Sequence, residues 1–175
     1  MMMNNSKKLY QSIDRLFETA IRLLVQYAPV SDENSRKPLI PHDIRVGVYL
    51  YEHGYSEDII VAGVLHDTLE FTSITEEMLR EQFGDYVAEI VRACTKNRTI
   101  ENSKEREQDL VQRCIDIGLD ALIVKAADTL DSFKYYTKVK SEKGLDYSRN
   151  NATYIFALKP NDWNDPIFDE LKKFQ

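Results

Sequence analysis

The chain holds three histidines, His42, His53 and His66. His66 stands directly before Asp67, at the end of the apolar run IIVAGVL. Another aspartate, Asp128, stands in LIVKAADTL, again among apolar residues. A carboxylate buried without a partner is costly and goes over to its neutral form. Two such carboxylates beside a buried histidine suit one shared cation. Small neighbours leave room for helices to close around it: Gly63 near His66, and Ala126-Ala127 beside Asp128. Imidazole and carboxylate ligands together favour Mn, Fe, Co, Ni or Zn over Ca. Such an ion lowers the pKa of a water beside it and polarises a phosphoryl oxygen. Glu70 follows His66 by four residues, one helical turn on the same face, where a carboxylate holds or deprotonates that water.

Each residue also has a plainer reading. His66 fits a hydrogen-bonded core histidine, and Asp128 a buried partner for Lys125 or Arg45. His42 fits a surface residue beyond Pro41, and Glu70 a solvated helix end. His53, just before Gly54, reads as structural, facing a helix C-terminus. A lone His-Asp pair is common by chance, so the joint arrangement has to carry the case.

The elements that must position these groups are helices almost throughout. Over 6–27, apolar residues from Leu9 to Tyr27 fall on a helical stripe. The polar segment APVSDENSRKPLIP ends it. A second helix is expected over about 42–53, stopping at Gly54, and a third from an N-cap at Ser56 to about Leu69. Ser73 with Glu76, or Thr75 with the acids after it, caps a short helix that ends at Gly84. Residues 85–95 continue as a helix, 96–104 read as a loop, and 105–117 and 120–138 as two more helices. A weak stretch surrounds Gly144. Asp165 as N-cap and Pro166 at the first helical position open the last helix. With no strand alternation of any length, the expected fold class is all-α.

A length of 175 residues fits one domain, over 1–175, with a core at about 37–138 and C-terminal helices packed on it. The formal charge of 23 − 29 = −6 argues against a nucleic-acid binder. No apolar run is long enough to cross a membrane, and the first residues carry no apolar signal core. Cys94 and Cys114 sit among helical apolar positions and read as reduced core residues, which fits a cytoplasmic protein. No signal for an oligomeric state is read.

Four separated blocks carry a resemblance to a known family: PLIPHDIRVGVYLYEHG, DIIVAGVLHDTLEFT, ITEEMLREQFGDYVAEIVRACTK and VKAADTLDSF, over roughly residues 37–133. In them the chain resembles the HD-domain metal-dependent phosphohydrolases. More closely, it resembles the hydrolase domain of the RelA/SpoT family and the stand-alone alarmone hydrolases. The resemblance implies an HD-type helical bundle with one divalent ion, usually manganese, held by His42, His66, Asp67 and Asp128. It implies removal of pyrophosphate from the ribose 3′ position of ppGpp or pppGpp, with Glu70 assigned to the attacking water. Two positions depart from the family: Phe71 replaces the aspartate of a Glu-Asp pair, and Ser132 replaces an asparagine near the substrate ribose. The basic segment before the first histidine is shortened, so Arg36 and Lys37 match it across a gap.

The expected function is metal-dependent hydrolysis of a small nucleotide, (p)ppGpp-like at its 3′-pyrophosphate. Phe71 and Ser132 support an alternative, an HD phosphatase for another nucleotide or phosphorylated metabolite. A third reading is a binding or regulatory module without turnover, against which Glu70 stands. A pyrophosphate needs local cations whatever the overall charge, and Arg36, Lys37, Arg45, Lys96 and Arg98 are the candidates. Phe71 is expected either at the pocket rim, stacking on a base or closing the pocket, or packed under the following loop.

Overall fold

The computed structural model describes residues 12–29 and 36–174. Ten helices follow one another there, and no strand occurs among the described residues. They are α1 (Ser12–Tyr27), α2 (Leu39–Glu52), α3 (Glu57–Leu65), α4 (Thr68–Phe71), α5 (Glu76–Phe83), α6 (Asp85–Cys94), α7 (Ser103–Ile117), α8 (Leu119–Val139), α9 (Glu142–Leu158) and α10 (Pro166–Lys172). The fold is all-α, and one hydrophobic cluster draws buried side chains from α1 to α3 and from α5 to α10. The start expected for the first helix, over 6–11, lies outside the described residues. No helix among them is long and apolar enough to cross a membrane.

Two helix boundaries near the site differ from expectation. α2 begins at Leu39, ahead of His42. Pro41 lies inside its first turn, where a missing N–H costs nothing because that donor has no intrahelical partner. α3 stops at Leu65 rather than Leu69, and α4 starts afresh at Thr68. Side chains end it: Thr68 Oγ1 donates to the Leu65 carbonyl at 2.6 Å, and His66 Nδ1 donates to the Gly63 carbonyl at 2.8 Å. Glu70 therefore does not lie one continuous helical turn beyond His66.

The crossing of α2 and α3 brings the two histidines together edge-on, with ring centroids 5.0 Å apart. A Cβ on Gly63 would stand 2.4 Å from Leu50 Cδ1, and one on Gly47 would stand 2.3 Å from Val64 Cγ2. Only glycines allow this approach. α8 packs on both helices and on α6, α7, α9 and α10. It carries Lys125, Asp128, Asp131 and Ser132 into the centre of the bundle.

α9 replaces the weak stretch around Gly144 with a helix of 17 residues. Its buried positions are Gly144, Ser148, Asn151, Ala152 and Ile155. They keep helical spacing, but three are polar or lack a side chain, so the stripe does not read as apolar. Ser148 and Asn151 bond back to the Gly144 and Tyr147 carbonyls of the same helix. Elsewhere, Thr75 caps α5 and Asp165 caps α10. His53 caps α2, with Nδ1 donating to the Tyr49 carbonyl at 2.7 Å. Cys94 and Cys114 are buried and unbridged, with sulfurs 3.8 Å apart.

Candidate active site

His42 from α2, His66 at the end of α3, Asp67 after it and Asp128 from α8 meet at one point. His42 Nε2 lies 3.2 Å from His66 Nε2 and 3.2 Å from Asp128 Oδ1. Asp67 Oδ2 stands 3.8 Å from the first Nε2 and 3.6 Å from the second, and His66 Nε2 stands 3.8 Å from Asp128 Oδ1. Two donors on one ion at about 2.1 Å stand roughly 3.0–3.4 Å apart, so these atoms need to move by only a few tenths of an ångström to share one.

Hydrogen bonding fixes which imidazole nitrogens face the centre. His42 Nδ1 donates to Asp131 Oδ2 at 2.6 Å, and His66 Nδ1 donates to a backbone carbonyl. Both acceptors lack protons, so each Nδ1 carries one and each Nε2 is left with its lone pair for a ligand. Four electron-rich atoms pointing at one another call for positive charge between them. The same demand appears as proton affinity. Burial alone would lower the His66 pKa, but Asp67, Asp43 and Asp128 outweigh it and hold the imidazole well above its ordinary value. Burial pushes the Asp128 carboxyl up, yet Lys125, Lys37 and the two histidines hold it well below the usual range. The His/Asp cluster fits a divalent cation.

The cluster opens into a pocket reached by Asp67 and Asp128. Of the five cations expected to hold phosphate, Arg36, Lys37, Lys96 and Arg98 line it. Arg45 does not. It grips Asp131 through Nε and Nη2 at 2.7 and 2.9 Å, on the side of His42 away from the pocket. Lys37 Nζ reaches Asp128 Oδ1 at 2.9 Å and Ser132 Oγ at 2.5 Å. Ser132, expected near a ribose, is buried and works through Lys37 and Asp128 instead of lining the pocket. Phe71 lines the pocket wall and also packs on the core. Glu70 is held by the segment after α6. Its Oε1 accepts from the Lys96 backbone N–H at 2.8 Å, its Oε2 from Arg98 at 3.2 Å, and both oxygens stand 3.3 Å from Lys96 Nζ.

Asp43, Asp131, Arg106 and Tyr147 belong to the site and were not anticipated. Asp43 shares a cluster with His42, His66 and Asp67, ligand atoms lying within 4.8 Å of one another. Its Oδ1 approaches His66 from the Nδ1 side, at 3.9 Å, away from the converging Nε2 atoms. For that reason Asp128, not Asp43, completes the four-donor set. Both Asp43 oxygens are buried without a hydrogen-bond partner, and burial raises its carboxyl well above the usual range. The signal was present: Leu39, Asp43, Val46 and Leu50 form one buried helical stripe. Asp131 was signalled by its place one turn beyond Asp128. Tyr147, under the Arg36 guanidinium at 4.0 Å, came with the unread α9.

A family model of the HD domain matches residues 20–158, and the chain belongs to that family. The guanosine-3′,5′-bis(diphosphate) 3′-pyrophosphohydrolase of Aquifex aeolicus is 34% identical over 116 residues, which are 63% of this chain and 17% of that protein. The guanosine-3′,5′-bis(diphosphate) 3′-pyrophosphohydrolase MESH1 of Danio rerio is 36% identical over 121 residues, 64% of this chain and 67% of that one. This chain thus spans about a sixth of the long Aquifex relative. Among solved structures, a metazoan ortholog of SpoT that hydrolyzes ppGpp superposes with a TM-score of 0.73 over 94% of this chain and 95% of that one. At 19% identity that likeness speaks for the fold.

Proposed function

We propose that the chain is a metal-dependent phosphohydrolase that removes the 3′-pyrophosphate of a (p)ppGpp-like nucleotide, with Mn²⁺ as its ion. One observation carries the reading: two imidazole nitrogens and two carboxylate oxygens converge at the floor of a pocket walled by cations. The names of the Aquifex and Danio relatives support the substrate class. Two buried, unbridged cysteines support a reducing, cytoplasmic setting. One core shared by nine of the helices supports a single domain.

A divalent ion held by His42, His66, Asp67 and Asp128 supplies Lewis acidity and a water of lowered pKa. The chain's own groups do the rest. Lys37, Lys96 and Arg98 bind phosphate oxygens and stabilise the charge on them in the transition state. Entering phosphates compete with Glu70 for Lys96 and Arg98, and the freed carboxylate takes the proton lost by the attacking water. Water oxygen joins phosphorus, the bond to the ribose 3′-oxygen breaks, and that oxygen takes a proton. Phe71 closes one wall without accepting a proton.

The purified chain with Mn²⁺ is expected to convert ppGpp to GDP and pyrophosphate, and to lose this activity on chelation and in Asp128→Ala. A protein that leaves ppGpp untouched overturns the reading. Turnover of a different nucleotide in the same assay would then favour the second one, an HD phosphatase of other specificity, for which Phe71 in the pocket wall speaks.

A further inference from the structure

Beside the metal-facing pocket lies a second cavity of about 430 Å³. The two share Arg36, Tyr136 and Tyr147, so a molecule with phosphates in the first can extend into the second. Glu107, on the wall that α7 contributes, lines the second cavity and is only 7% exposed. It accepts no hydrogen bond among the described residues. Burial raises its carboxyl, while Lys125, Arg36, Lys96 and Arg106 pull it back without touching it.

A carboxyl that faces a cavity with no protein donor is satisfied there by water alone, and its natural complement is a ligand that brings donors in water's place. An ionised carboxylate only accepts, through two oxygens in one plane. The matching ligand edge carries two adjacent N–H donors. Among the nucleobases guanine has that edge, in N1–H and the 2-amino group. Adenine sets a single amino group beside an acceptor nitrogen, which faces a carboxylate poorly. We infer that Glu107 is the acceptor that selects guanine, with the base in the second cavity and the phosphates in the first. This rests on the nucleotide reading above and adds the base to it.

The test is equilibrium binding of GDP, IDP and ADP to the Mn²⁺-loaded protein by calorimetry. IDP differs from GDP only by lacking the 2-amino group. The wild type is expected to bind GDP about tenfold or more tighter than IDP or ADP, as loss of a hydrogen bond to a charged group implies. Glu107→Gln, nearly isosteric, brings the three within about twofold. A thermal melt checks that it is folded, and if it is not, the wild-type ranking alone decides. Equal binding of GDP and IDP by the wild type, binding of none of the three, or an undiminished GDP preference in folded Glu107→Gln overturns the inference. Failure of the hydrolase reading looks different: ppGpp stays intact while the GDP preference persists.

Discussion

His42 and Asp128 leave helices inside the core and His66 caps one there, whereas Arg36, Lys96 and Arg98 leave open segments between helices. The first group has fixed partners. Asp131 and Gly63 hold the imidazoles, and Lys37 and Lys125 hold Asp128. The second group has provisional ones: Lys96 and Arg98 share Glu70, and Arg36 rests on a tyrosine ring. A ligand set must keep its geometry with or without its ion, so it is built where packing decides position. Groups that receive a substrate must exchange partners, so they sit where the backbone is open to solvent. If this contrast is right, damage to the buried half costs stability as well as activity, and damage to the open half costs activity alone.

The largest effect belongs to Asp128→Ala. It leaves Lys125, buried at 4% exposure, without the carboxylate 2.8 Å away. Removing one partner of a buried pair costs about 3–5 kcal/mol. Urea unfolding of the metal-free protein should show a loss of that order, and a loss under about 1 kcal/mol would mean the buried half is not held as described. Glu70→Gln comes next, and it sharpens the comparison. Acting as proton acceptor, Glu70 is worth roughly 10² in kcat with metal still bound. If steady-state kinetics instead showed a raised KM with kcat unchanged, Glu70 would only be holding Lys96 and Arg98.

Asp131 gives a pH signature for the buried half. Burial raises its carboxyl, but His42 and Arg45 outweigh this and bring it down to about 2. A folded pKa below the unfolded value of about 3.9 means stability that is present above about pH 4 and lost as pH falls toward 2. Its size is on the order of 2 kcal/mol. Asp131→Asn should flatten the stability profile in that window, and an unchanged acid limb would remove Asp131 from the account. The smallest effect is on the open side. Phe71→Asp should leave the melting temperature within a few degrees and shift the ratio of ppGpp to other nucleotide turnover. An unchanged substrate profile would assign Phe71 to packing alone.

The sequence was most legible where apolar periodicity surrounds a charged residue. His66, Asp67 and Asp128 interrupt runs that are otherwise core, and each interruption marks a group that the fold brings to one point. The same logic applies to Asp43 on its stripe of Leu39, Val46 and Leu50, but a single acid beside a histidine is a weaker signal than an interrupted apolar run. Periodicity failed where small and polar residues fill buried helix positions. Gly144 packs against Tyr136 so closely that a Cβ would stand 2.2 Å from its ring, and such a contact leaves no apolar mark. With α9 unread, Tyr147 and the second cavity were out of reach. Arg45 is expected at the substrate because it follows His42 closely in the chain, and Ser132 because it stands where the family has an asparagine near the ribose. Helix geometry turns Arg45 toward Asp131 and buries Ser132 against Lys37.

The most direct test of the central claim is calorimetric titration of the chelator-treated protein with Mn²⁺ at neutral pH, beside His66→Ala. One ion per wild-type chain is expected, with a rise in melting temperature that follows the ion concentration, and neither response in the variant. A wild type that binds no ion, or a His66→Ala protein that binds it equally well, would contradict the account.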